Sequence, residues 1–266
     1  MALSVDLDFQ RYIERRKGAL DAQAREGAAY AYGGDLRIKK TLESLKPVQV
    51  AVDATVRLWK SVARKELLDG ATKVSPESNA KLDGLIEQAA KILHIPRPTL
   101  YVVPMLGEAD TLWAYTFGTD EDAYIVLNGA RMDALTDSEL LFVLGCECGH
   151  IQNNHVVLTT SLYYLTRAAN RFLKWIVRPA AAALSAWSRR ADITCDRAGA
   201  ICAKNVDTAE AVLLKLSGGV EDSYAQRRIE ALRVFAESAY YKALTGGTGG
   251  LTQAEVDGKV GEVLAT

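Results

Sequence analysis

The sequence predicts a mostly helical α+β chain in which helices surround a small β-sheet. Three observations predict it. Thr136-Asp-Ser-Glu139 reads as a capping box that opens an apolar helix over Leu140, Leu141, Val143, Leu144 and Ile151. Strand-like runs, Thr99-Leu-Tyr-Val-Val103 and Tyr124-Ile-Val-Leu127, precede that helix. The rest of the chain divides into helix-length stretches punctuated by Gly and Pro. With 266 residues, 49% of them apolar and 24% charged, the chain can bury one large core or two smaller ones. A net charge of −1 offers no basic field for nucleic acid.

In chain order, residues 1–70 read as an N-terminal helical region of unknown role. It contains Asp8-Phe-Gln-Arg-Tyr-Ile-Glu-Arg-Arg16 and Val48-Gln-Val-Ala-Val-Asp-Ala-Thr-Val56, broken by Gly33-Gly34 and Pro47. Ser75, followed by Pro76 in the first turn, starts a helix to about Leu93. His94 then reads as a helix-end residue with no chemistry assigned. The stretch from Val156 to Trp187 is apolar, yet it carries Arg167, Arg171, Lys174 and Arg178 and is stopped by Pro179. No window approaches about 20 uncharged residues, so a pair of helices is expected rather than a transmembrane span. Its basic-apolar run Arg171–Arg178 is expected to pack on the core, with an interfacial role as the alternative. Asp207-Thr-Ala-Glu210 opens a helix ending at Ser217-Gly-Gly219, and another helix runs from about Ser223 to Leu244. Gly246–Gly250 reads as a flexible linker. The tail that follows, with Val256, Val260 and Val263 on one face, is expected to dock in cis or on a partner. The organisation expected is 1–70, then a domain over 71–245, then a linker and tail helix over 246–266.

The chemistry is concentrated in Cys146-Glu-Cys-Gly-His150. Positions four apart on a helix share a face, so Cys146 and His150 can reach one metal ion while Glu147 is offset beside it. This is the H-E-x-x-H arrangement of zinc peptidases with its first histidine replaced by cysteine, which binds zinc as a thiolate. The plain alternative is an amphipathic core helix without metal.

A second element, Ser188-Arg-Arg-Ala-Asp192-Ile-Thr-Cys195-Asp196-Arg-Ala-Gly199, lies about forty residues downstream. With it the chain, over roughly Leu82 to Ala236, resembles the HtpX and CAAX-prenyl-protease family of gluzincin metallopeptidases. Ile95-Pro-Arg-Pro98, Trp113–Gly118, Tyr124–Gly129, Leu213–Leu216 and Arg228–Leu232 also resemble segments of that family. The resemblance implies a gluzincin-like core with one zinc ion per chain. It puts Cys146 and His150 in the places of the two histidine ligands, Asp192 in that of the ligand glutamate, and Glu147 in that of the general base. Asp196 falls where the family has an aspartate that orients the first histidine, although a thiolate has no N–H to offer it. It also implies that a substrate lies along the strand Tyr124–Leu127 as an added strand.

Four cysteines in a chain without a signal-like segment read as reduced thiols of a cytoplasmic protein. Cys148 and Cys202 are expected to pack as small apolar residues. Cys195 has two readings, packing or an additional ligand or redox partner of Cys146; as a fourth protein ligand it would close the zinc site. His155 lies about 140° round an ideal helix from His150 and reads as a solvated helix-end residue rather than a third ligand. Two functions follow. One is a zinc metalloendopeptidase acting on unfolded or extended polypeptide. The other is a silenced relative that uses the fold as a binding or assembly scaffold.

Overall fold

The computed structural model describes residues 27–59, 68–106, 112–167, 171–217 and 222–265. The expected helix Asp8–Arg16 and the side chains of the basic-apolar run up to Val177 lie outside the described residues. Helices α1 (Gly33–Glu43) and α2 (Lys46–Leu58) come first. The short strand β1 (Thr72–Lys73) precedes α3 (Pro76–Ile92), where Ser75 supplies the expected cap with Pro76 in the first turn.

Strands β2 (Thr99–Val103), β3 (Ala114–Gly118) and β4 (Ala123–Asn128) complete a sheet of order β1-β2-β4-β3. β4 runs parallel to β2 and antiparallel to β3. Both edges of β4 are therefore paired. A substrate cannot be added along Tyr124–Leu127, contrary to expectation; the sheet ends instead at β3.

After the single turn α4 (Gly129–Met132), helix α5 (Asp137–Gln152) carries the Cys-Glu-Cys-Gly-His motif. The capping box is present as read: Thr136 Oγ1 accepts from the Glu139 amide at 3.3 Å, and Glu139 Oε2 accepts from the Thr136 amide at 2.8 Å. Helices α6 (Val156–Arg167) and α7 (Arg171–Ala203) follow. Pro179 does not stop α7, which continues through it. The turns beyond the proline bury Leu184, Trp187 and Ala191, and this packing outweighs the backbone hydrogen bond that proline removes.

Helix α8 (Val206–Leu216) is capped by Asn205. The helix expected from Ser223 to Leu244 is two, α9 (Ser223–Ala236) and α10 (Ala239–Leu244), because Ser238 starts α10 as its cap. The tail helix α11 (Gln253–Ala265) docks in cis, with Val256 and Val260 fully buried and Asp257 paired to Arg197 at 3.0 Å.

The main core gathers α3, α5, α7, α8, α9 and α11 on one face of the sheet, around Ile86, Ile125, Phe142, Leu144 and Phe235. Each such side chain contributes about 1.5–3 kcal/mol by leaving water. A second cluster joins α1, α2, α6 and α7 through Leu42, Val48, Leu158 and Trp187. A third, with Trp59, Phe117, Tyr124 and Val126, covers the opposite face of the sheet. Among the described residues no helix is long and apolar enough to cross a membrane.

Candidate active site

Helices α5 and α7 approach closely because small residues face each other. A Cβ placed on Gly199 would lie 2.6 Å from Cys146 Sγ and 2.8 Å from the Phe142 carbonyl oxygen. One on Gly149 would lie 2.8 Å from Ala198 Cβ. This crossing aligns the two motifs along one wall of a cavity of about 260 Å³. Cys146, Glu147, His150, Asp192, Cys195 and Arg228 line it, with Trp113–Tyr115 of the β3 end opposite.

Each sequence-derived site residue has a definite setting. Glu147 Oε2 accepts a 2.6 Å hydrogen bond from Thr116 Oγ1 on β3. Burial, opposed by that hydrogen bond and reinforced by Asp192, pushes its carboxyl up to about 7. His150 is driven down to about 3, first by burial and then by His155, so its imidazole is neutral over the physiological range. Its Nδ1 is buried with no hydrogen-bond partner. Burial, then the Asp196 carboxylate, push the Cys146 thiol well up.

Asp192 Oδ2 accepts from the Tyr224 hydroxyl at 2.9 Å. Asp196 is buried and held by Arg228, through Nε to Oδ2 at 2.8 Å and through a terminal nitrogen to Oδ1 at 2.6 Å. Cys148 and Cys202 are buried packing residues, as expected. All four cysteines are free thiols.

His155 departs from the sequence reading: it is fully buried. The ideal-helix projection fails because α5 ends at Gln152, and Asn154 turns the chain through the left-handed region at φ 53°. The turn brings the His155 ring to 5.4 Å from that of His150 and edge-on to Trp187. Asn153-Asn154 directly after the motif is a helix-stop signal that the sequence did carry. Asp35 and Tyr224 were missed, and Thr116 and Arg228 were marked only as parts of segments that resemble the family, because nothing local assigns a role to a residue that meets the site from another element.

Potential ligand atoms of His150, His155 and Cys195 all lie within 4.8 Å of one another. An orphaned buried imidazole nitrogen, a neutral histidine and thiols beside carboxylates form a donor set that fits a zinc-class cation.

Cys146, Glu147 and His150 on one helix thus face Asp192 on another beneath a sheet edge, in a chain that comparison places among the metallopeptidases. The family model described as Peptidase family M48 matches residues 76–242, and the chain belongs to that family. It is 34% identical over 174 residues to the plastoglobule-localized metallopeptidase 48, chloroplastic, of Arabidopsis thaliana, covering 64% of this chain and 49% of that protein. It is 33% identical over 98 residues to the uncharacterized metalloprotease YhfN of Bacillus subtilis, covering 37% of this chain and 23% of that one. A protease HtpX homolog of Moorella thermoacetica is 27% identical over 183 residues, 57% of this chain and 59% of that one. The matched region thus spans roughly half or less of the first two relatives and somewhat more than half of the third. No solved structure matches the chain.

Proposed function

We propose that this chain is a zinc-dependent endopeptidase of unfolded or extended polypeptide segments, with Glu147 as general base. In the register of the family, Cys146, His150 and Asp192 stand in the places of the ligands of one zinc ion per chain, with Asp196 behind them. The single observation that carries the reading is the position of Glu147, on the cavity wall and bonded to the β3 edge through Thr116. Zinc, when bound, supplies the Lewis acidity that activates water and polarises a carbonyl. Glu147, with its carboxyl near 7, suits both taking a proton from water and returning it to the leaving amine. Thr116 fixes the carboxylate for that exchange.

The edge of β3 away from β4 is buried from Thr116 to Gly118 and part-exposed at Ala114 and Tyr115, so an extended chain is accommodated at its Ala114 end. The Gly118 amide turns away from β4 and donates to Thr160 Oγ1 at 3.0 Å. By the two-residue alternation of the ladder, Ala114 turns its backbone groups the same way, beside the cavity. An extended peptide on that edge lies next to Glu147, without nucleic acid as partner and with the cytoplasm as the working compartment. The test is hydrolysis of an unstructured fluorogenic polypeptide by the zinc-loaded protein. Glu147→Gln should lower the rate at least about 100-fold while zinc content is unchanged. Equal rates for the two proteins would discard the peptidase reading.

One observation favours the second reading, a silenced scaffold with a structural metal or none. Asp192 is engaged by Tyr224 and Asp196 by Arg228. Carboxylates spent on protein contacts stabilise the crossing of α7 and α9 without any cation.

A further inference from the structure

Beneath the cavity lies a cluster that the family register does not use. His155 Nδ1 faces Cys195 Sγ at 3.9 Å. On the other side of the ring, Nε2 is 3.2 Å from Asp35 Oδ2. Asp35 is itself fixed and fully buried, accepting from Trp187 Nε1 at 2.8 Å and from Thr194 Oγ1 at 2.6 Å. The carboxylate favours the tautomer with its proton on Nε2, which leaves the Nδ1 lone pair directed at Cys195. His150 adds a ring 5.4 Å away with a buried, unpartnered nitrogen.

We propose that the cation is seated by His150, His155 through Nδ1, and Cys195, with Asp35 as the positioning residue behind His155. The ligand class is a borderline-soft divalent cation that prefers nitrogen and sulfur, zinc or cobalt(II). The inference rests on the metal-dependent reading above and replaces two of its three ligands. Cys146 and Asp192 stand outside the group of mutually close donors. The Cys146 sulfur packs against Gly199, and Asp192 is held by Tyr224. Among the described residues, the buried Nδ1 of His150 has no hydrogen-bond partner. Binding ionises Cys195, and its proton passes to solvent.

Cobalt(II) titration of the full chain tests the seat, read by the thiolate-to-metal charge-transfer band. The band should persist in Cys146→Ser and vanish in Cys195→Ser. Asp35→Asn should keep the band and weaken cobalt affinity about 10–100-fold. X-ray absorption at the zinc edge of the unsubstituted protein decides independently of any variant's folding. Two imidazoles and one sulfur support the seat. One imidazole, together with a band lost in Cys146→Ser and kept in Cys195→Ser, overturns it while leaving the peptidase reading intact. Failure of the unsubstituted protein to bind either metal overturns both.

Discussion

Arg228 clasps the Asp196 carboxylate with two parallel hydrogen bonds, at 2.8 and 2.6 Å, under the helix that carries Cys146. Burial works against both charges and leaves the Asp196 carboxyl above its usual range, while the attraction of Asp196 holds the Arg228 guanidinium well above its own. Asp196 is 1% exposed. Removing only the cation leaves a buried carboxylate uncompensated, and Arg228→Met should cost about 3–5 kcal/mol. Arg228→Met combined with Asp196→Asn should recover much of that. Chemical denaturation of the single and double variants measures it; a double variant no more stable than Arg228→Met would disprove the account.

The crossing of α5 and α7 depends on glycine in a way a second pair of variants can isolate. At Gly199 an added methyl meets the Phe142 backbone oxygen, which cannot move aside as a flexible side chain would. Gly199→Ala should destabilise by about 1–3 kcal/mol through overpacking. Gly84, exposed in the middle of α3 with nothing near its Cβ direction, should gain about 0.5–1 kcal/mol on substitution by Ala. Opposite signs in the unfolding midpoints are the expected result; two losses would mean that propensity and packing had been misassigned.

What was readable in the sequence was what is local. The Thr136–Glu139 box, the Ser75-Pro76 start and the face shared by Cys146 and His150 depend on residues within a few positions of one another, and the structure has them. What was not readable came from distant segments. Asp35 reaches the His155 ring across more than a hundred residues, and Arg228 reaches Asp196 from another helix 32 positions along the chain. The strand order depends on pairing between β2 and β4, which no window of sequence contains. The misreading of His155 had a local cause, an ideal helix projected past Asn153-Asn154.

That turn is itself testable. Asn154 holds φ at 53°, where a Cβ costs about 1–2 kcal/mol unless the side chain is suited to it. Asn154→Ala should therefore lower stability by about 1 kcal/mol, while Asn154→Gly should be near neutral. Thermal unfolding of both variants checks this. An alanine variant as stable as the glycine one would mean that the left-handed turn is not what brings His155 beneath α5.

The start of α5 also sets an acid limit on stability. Glu139 is held between the Thr136 amide at 2.8 Å and Lys215 at 2.7 Å. Burial raises its pKa, but the hydrogen bond from Lys215 and those with Thr136 outweigh it and leave the carboxyl below its usual 4.5. A depressed carboxyl stabilises the fold above its unfolded value and loses that contribution as pH falls through the folded one. Glu139→Gln retains a capping oxygen and loses only the charge, so at pH 7 it should be less stable by about 0.5–1 kcal/mol, Lys215 being part-exposed. That gap should close below pH 4.5, as the unsubstituted protein takes up its proton, and should shrink with added salt at pH 7. Denaturant midpoints of the two proteins from pH 7 to pH 3 measure it. A gap that stays constant over this range would assign the contribution to the capping geometry alone and remove the Lys215 pair from the explanation.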